Sequence, residues 1–422
     1  MKEPNLHGLL MVALLALPLS ANALTVNISK AVNPLAPVAV PSFGSGPADQ
    51  PSIAAIVRND LRHSGYFSVI PPAQYPDDPH SADAVHLSEW AKTGALAMAV
   101  GKVQENPEEF VVDADVISLI SHKMVAGRRY ISKLQGYHML GQQVADLVYQ
   151  QITGYPGPFA SPIAFVDQQG SHYDLEVAQS DGWDAKTILR GKIPVISPAW
   201  SPQAHTLAYV SYLHRHSVIY LQNLATGQRH QIPDGGTALS APAFSPNGQY
   251  LAFAKVWKRG RTELVRENLR TGHERVLTRV GTVNTSPTWS PSGNQLVFVS
   301  NRQGSAQIFA MDADGQHVRR LSFSGGYNVS PDYAADGHWI TFIHAYRGVL
   351  AVAVMRPSGG DVQVLYDGGN CEHPSFAHDG RMIVFATHRA GQKVLGEVAI
   401  NGKGLHFLTV KGEANEPAWA PA

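Results

Sequence analysis

The sequence predicts an α/β N-terminal domain followed by an all-β six-bladed β-propeller that is closed by the C-terminal strand. Three observations carry this prediction. One phrase, clearest at Ser286-Pro287-Thr288-Trp289-Ser290-Pro291-Ser292-Gly293, recurs along the second part of the chain. Its aromatics, Trp200, Phe244, Trp289, Tyr333, Phe376 and Trp419, stand 44, 45, 44, 43 and 43 residues apart. A fixed period of about 40–50 residues with several short strands in each is the pattern of a propeller, because one such unit cannot bury its apolar face alone. Finally, residues 24 to about 155 show no repeat and alternate strand and helix patterns, as a compact α/β domain does.

The chain has 422 residues, with 33 basic and 33 acidic side chains and no net formal charge. This balance excludes nucleic acid as a default partner, since phosphate binding needs a basic excess or stripe. The 38 glycines and 28 prolines suit a protein of many tight turns. The single cysteine, Cys371, rules out an intramolecular disulfide and reads as a small residue at a strand start.

Residues 1–23 read as a secretory signal peptide. Leu9 to Leu19 is an apolar run shorter than the ~20 residues that span a bilayer, and Ala21-Asn22-Ala23 gives a small-x-small cleavage pattern. Cleavage after Ala23 makes Leu24 the mature N-terminus, and the product is expected to be exported. Leu24-Thr25-Val26-Asn27-Ile28 alternates and reads as a strand. Pro37 to Phe43 reads as a second strand. Asp49 is expected to cap a helix running to about His63, with Ile53, Ile56, Val57 and Leu61 on one face. Tyr66–Ile70 reads as a strand, Glu89–Thr93 as a short helix, Ala95–Val103 as a strand, and Phe110–Ile120 with Met124–Ser132 as a hairpin. Gly136–Thr153 is an amphipathic helix. Gly154-Tyr155-Pro156-Gly157-Pro158 is the linker, so the domains run from 24 to 155 and from 156 to 422.

In the third copy of the repeat, the first strand centres on Trp289 and lines a central channel. Leu296–Ser300, Gln307–Met311 and Val318–Ser322 follow across Gly-, Asn- and Asp-bearing turns, which is hairpin chemistry and gives the four antiparallel strands of one blade. The last copy has only its first strand, at Trp419. The missing strands lie at Ile163–Gln168, Tyr173–Gln179 and near Thr187–Leu189. The C-terminal strand therefore joins them and closes the ring, which removes open sheet edges.

A propeller does not fix a function. The chain contains no G-x-S-x-G, H-E-x-x-H or C-x-x-C motif. His214 and His216 are too few for a structural metal site, which wants about four ligands. His378 reads as solvent-facing. Asp332, Glu372 and Glu416, placed just before the aromatics, are expected to ring one mouth of the channel, either as rim groups for a partner or as ligands for a channel cation. No catalytic residue, metal site or cofactor is expected, although a channel-bound cation would fit these carboxylates.

The leader, the α/β domain, the Pro/Gly linker and the repeat together resemble the TolB family. Supporting stretches are Asn59-Asp60-Leu61-Arg62-His63-Ser64-Gly65-Tyr66-Phe67, Tyr173-Asp174-Leu175, Pro198-Ala199-Trp200-Ser201-Pro202, Ala241-Pro242-Ala243-Phe244-Ser245-Pro246-Asn247-Gly248 and Pro417-Ala418-Trp419. The resemblance implies a monomeric periplasmic component of the Tol–Pal system. It would bind the lipoprotein Pal through one propeller face and TolA through the mature N-terminal strand, in support of outer-membrane integrity and constriction at division. It also implies that colicins and other outer-membrane proteins are further partners. The implied partner rim is Thr285, Ser286, Ser240, Asn328, Glu372, His373, Asn415 and Glu416, with Leu24, Thr25, Val26, Asn27 and Ile28 as the regulatory strand. Thr285 matches a family contact position in kind. The equivalent loop one blade earlier, Thr237-Ala238-Leu239-Ser240, lacks the family's histidine, and Leu24 stands where the family has an acidic first residue. Two other readings are a propeller-containing serine hydrolase or peptidase and a ligand-binding periplasmic propeller. The first lacks a nucleophile elbow.

Overall fold

The computed structural model describes residues 35–213, 216–257 and 260–421. The leader, its cleavage position and the strand expected at 24–28 lie outside the described residues. The N-terminal domain is a five-stranded mixed sheet, ordered β2-β1-β3-β4-β5. Its strands are β1 (Ala36–Ala39), β2 (Phe67–Val69), β3 (Ala97–Glu105), β4 (Glu109–Ser118) and β5 (Lys123–Lys133). β1 runs parallel to both neighbours, and β3, β4 and β5 form an antiparallel meander. Helices α1 (Ile53–His63) and α3 (Tyr137–Thr153) pack together against the sheet, while α2 (Leu87–Ala91) is a single short turn.

Ile53, Ile56, Val57 and Leu61 of α1 are buried, as its apolar stripe requires. The cap is Ser52 rather than Asp49: its Oγ accepts the amide of Ala55 at 3.3 Å, which satisfies a free N–H of the first turn. The strand expected over Pro37–Phe43 stops at Ala39, and the Val40 amide turns instead to the Tyr75 hydroxyl at 3.1 Å.

The remainder is a propeller of six four-stranded blades. The inner strands of blades one to five are Val195–Trp200, Ala238–Phe244, Asn284–Trp289, Asn328–Tyr333 and Glu372–Phe376. The sixth blade is composite: Glu413–Trp419 is its inner strand and pairs antiparallel with Pro162–Gln169, which begins the propeller. The Trp419 indole donates to the Ser161 Oγ at 2.8 Å and locks this closure.

The repeated phrase proves to be a backbone device as well as a packing one. The residue before each repeat proline is left-handed in all six blades: Ser197, Ala241, Ser286, Ser330, His373 and Glu416 have φ between 47° and 53°. The ladder to the second strand shifts register there in every blade. This is a β-bulge, and it places the proline, which cannot donate, where the ladder is already interrupted.

At five of the six seams, neighbouring inner strands are latched by one of two means, set by the residue just before the aromatic. Where that residue is polar, its side chain takes the next blade's amide. Thr288 Oγ1 accepts Tyr333 N (3.3 Å), Asp332 Oδ2 accepts Phe376 N (2.7 Å) and Ser375 Oγ accepts Trp419 N (3.1 Å). Where it is alanine, the next blade supplies a tryptophan whose indole donates back to the alanine carbonyl. Trp200 does so to Ala418 (2.9 Å) and Trp289 to Ala243 (3.1 Å). The pair Ala199 and Phe244 has neither group, so this seam is apolar at the same level.

The N-terminal domain sits on the turns of blades five and six that join strand one to two and strand three to four. Tyr149 donates to buried Asp379 (3.0 Å), Asn401 donates to the Gly65 carbonyl (3.0 Å), and His138 meets Asp181 (2.6 Å) while stacking on Trp183. Contact is close enough that a Cβ on Gly65 would lie 2.7 Å from the Lys403 carbonyl carbon. His378, expected to face solvent, is half-buried at this junction, and burial holds its imidazole below the ordinary range. The apolar core is continuous across the interface, joining Val57, Val148 and Tyr149 to Met382, Leu395 and Trp419.

Candidate protein-docking face

Connections in an antiparallel blade alternate between its two ends. The N-terminal domain covers part of the end carrying the one-to-two and three-to-four turns. The opposite end carries the two-to-three turns and the loops leading from each outer strand into the next inner strand, and among the described residues the N-terminal domain leaves it open. The loops of this open face present large apolar side chains to solvent: Tyr212, Leu213, Val280, Val283, Phe323 and Tyr327. Phe323 is 67% exposed and Val280 63%. Apolar groups gathered on one face, with polar neighbours, mark a protein-contact surface more often than chance exposure does.

The expected rim residues fall into three layers. Ser240, Thr285, Glu372 and Asn415 precede the left-handed position and are half-buried at the open-face end of the inner strands. Ser286, His373 and Glu416 occupy the left-handed position itself. They line an axial cavity of about 600 Å³. Asn328 lies one step further out along the chain and is fully buried, so it cannot serve as a contact residue. Its Nδ2 donates to Gln307 Oε1 (2.7 Å) and to the Ser324 carbonyl (2.9 Å), and its Oδ1 meets His344 Nδ1 (2.7 Å). Asn284 does the same work one blade earlier, donating to the Val280 carbonyl at 3.1 Å. These two asparagines hold the loops of Val280–Val283 and Phe323–Tyr327 from beneath, as a buried amide with all its bonds made is suited to do.

The three carboxylates do not ring a mouth of the channel. Asp332 is a latch between blades, and burial pushes its carboxyl up to about 6. Glu372 pairs with Lys393 at 3.1 Å. Glu416 accepts the Ser197 amide at 3.1 Å and lies 3.3 Å from His373. Each carboxylate is thus engaged within the ring, and among the described residues no group of three or more His, Cys, Asp or Glu could hold a metal ion. Cys371 is buried at the foot of the blade-five inner strand, and burial pushes its thiol up to about 11, the opposite of an activated nucleophile.

The repeat register marks the inner strands and not these exposed loop residues, which lie between the periodic aromatics. The signal was nevertheless present: Phe323-Ser324-Gly325-Gly326-Tyr327 sets two aromatics in a loop whose composition otherwise calls for polar residues.

The chain is thus a two-domain protein of the propeller class, a six-bladed propeller with a small α/β domain on one face and exposed apolar side chains on the other. A family described as the TolB beta propeller domain matches residues 149–422, and one described as the TolB amino-terminal domain matches residues 24–125. The chain belongs to the TolB family. It is 35% identical over 232 residues to the Tol-Pal system protein TolB of Nitrosococcus oceani, covering 53% of each chain. It is also 35% identical over 244 residues to that of Xanthomonas oryzae pv. oryzae, covering 55% of each. The chain thus spans about half the length of the curated relatives it matches. The crystal structure of TolB from Acinetobacter baumannii superposes with a TM-score of 0.83 at 29% identity, covering 93% of this chain and 98% of that one.

Proposed function

We propose that this chain is a periplasmic protein-binding component of the Tol–Pal envelope system. It docks Pal on the open propeller face and engages TolA through the segment Leu24–Ile28, in support of outer-membrane integrity and constriction at division. The observation that carries this reading is the cluster of exposed apolar side chains at Val280, Val283, Phe323 and Tyr327, held rigid by Asn284 and Asn328 and left uncovered by the N-terminal domain. A specific protein interface buries about 800 Å² on each partner, and aromatic anchors carry most of its energy. The names of the relatives supply the system, and the family resemblance supplies the two partners. Every engaged carboxylate and the inert thiol favour a binding role over catalysis.

Two titrations test the proposal. Phe323→Ser with Tyr327→Ser should weaken Pal binding at least tenfold without lowering the melting temperature, since both side chains are exposed. Deleting Leu24–Lys30 should abolish TolA binding while leaving or strengthening Pal binding. Unchanged Pal affinity in the double variant, or unchanged TolA affinity after the deletion, overturns the corresponding half.

A further inference from the structure

A groove of about 470 Å³ runs down the outer side of the seam between blades two and three. It is lined by Arg275, Arg279 and Arg302, with Asp314 as its one carboxylate. None of the three arginines has an ion-pair partner among the described residues, and Asp314 pairs with none of them. Arg302 is a built element. Its guanidinium lies 5.2 Å from the ring centroids of both Phe298 and Phe309, which are buried. Its Nε donates to Ser300 Oγ and its Nη2 to Asn284 Oδ1, each at 3.0 Å. Burial holds it below the ordinary arginine range. Arg302 is half-buried and has no counter-charge among the described residues, and planar guanidinium groups suit carboxylates in paired geometry.

The groove is continuous with the docking face, because Val280 both lines it and stands exposed on that face. Exposed Val318 gives the other side an apolar edge. Asn284, which orients Arg302, also ties down the Val280 carbonyl, so groove and face are set by one side chain. We propose that this groove receives an acidic polypeptide segment, with alternating carboxylate and apolar side chains, from the protein seated on the open face. The inference rests on the docking reading above and adds the chemistry of the partner's segment to it.

The probe is a fluorescein-labelled peptide of alternating Glu and Leu, titrated against the full chain by anisotropy. Arg275→Gln with Arg279→Gln should weaken its binding at least tenfold, and raising the salt should weaken binding to the wild type, as screening demands. Both arginines are exposed, so the double variant should keep the wild-type melting temperature, and Lys at both positions should recover part of the affinity. The same Gln variant should lose at least fivefold in affinity for Pal. Peptide binding that ignores the substitutions overturns the inference. So does binding of phosphatidylglycerol vesicles, but not the peptide, in an arginine-dependent way, which would mark a lipid site. Peptide loss with unchanged Pal affinity also overturns it. Failure of the docking reading is scored separately by the Phe323/Tyr327 variant.

Discussion

Asp332 shows how one side chain sets a pH dependence for the ring. Its carboxylate accepts two amides and a hydroxyl, yet burial outweighs these bonds and raises its carboxyl from 3.8 to about 6. The unfolded chain ionises it near the ordinary value, so between about pH 4 and 6 the native state binds more protons than the unfolded state. This group's contribution to stability therefore falls as pH rises through that window. Asp332→Asn cannot titrate. The melting-temperature difference between wild type and variant should be most in favour of wild type near pH 4 and should shrink to a plateau by pH 7. A difference independent of pH would contradict the assignment. Cys371 offers a second test at this scale: its buried thiol, raised to about 11, should react with a thiol reagent at pH 8 only at the rate at which blade five opens. Rapid labelling in native buffer would contradict its burial.

At the scale of the inner strand, two features deserve separate tests. The left-handed residue before each repeat proline is non-glycine in all six blades, a conformation that costs L-residues about 1–2 kcal/mol. Ser286→Gly should be neutral to slightly stabilising, whereas Ser286→Val should lower stability by about 1–2 kcal/mol in denaturant titration, since a β-branched side chain tolerates this region worst. Equal effects would show that φ is not the constraint. The polar latch is the second feature: Thr288→Ala removes an acceptor for the Tyr333 amide and should cost about 1 kcal/mol. The period of the aromatics disclosed six blades, their turn residues and the composite closure from the sequence alone. It did not disclose the bulge, because a left-handed residue before a proline leaves no mark in the spacing of the aromatics. Nor could it separate Thr285 from Asn328. Both precede an inner strand's aromatic, but alternation along the strand turns Asn328 inward and leaves Thr285 half-buried.

For the whole molecule, the docked domain and the closed ring decide which surface is free. The tight approach of Gly65 to the Lys403 backbone predicts that Gly65→Val, which also faces a φ of +73°, should loosen domain docking. Small-angle scattering should then report a larger radius of gyration with the propeller's circular dichroism unchanged, and an unchanged radius would contradict the contact's role. The choice of face was only partly legible in the sequence. The register of the repeat locates the inner-strand ends, but which end the N-terminal domain covers depends on contacts such as Tyr149 with Asp379, 230 residues apart. The measurement that tests the central claim most directly is hydrogen exchange on the full chain with and without saturating Pal. The account predicts new protection in the open-face loops at 277–283 and 321–327, with none in the turns at 290–294 and 334–338 on the opposite face. Protection confined to those opposite turns, or to the N-terminal domain, would contradict it.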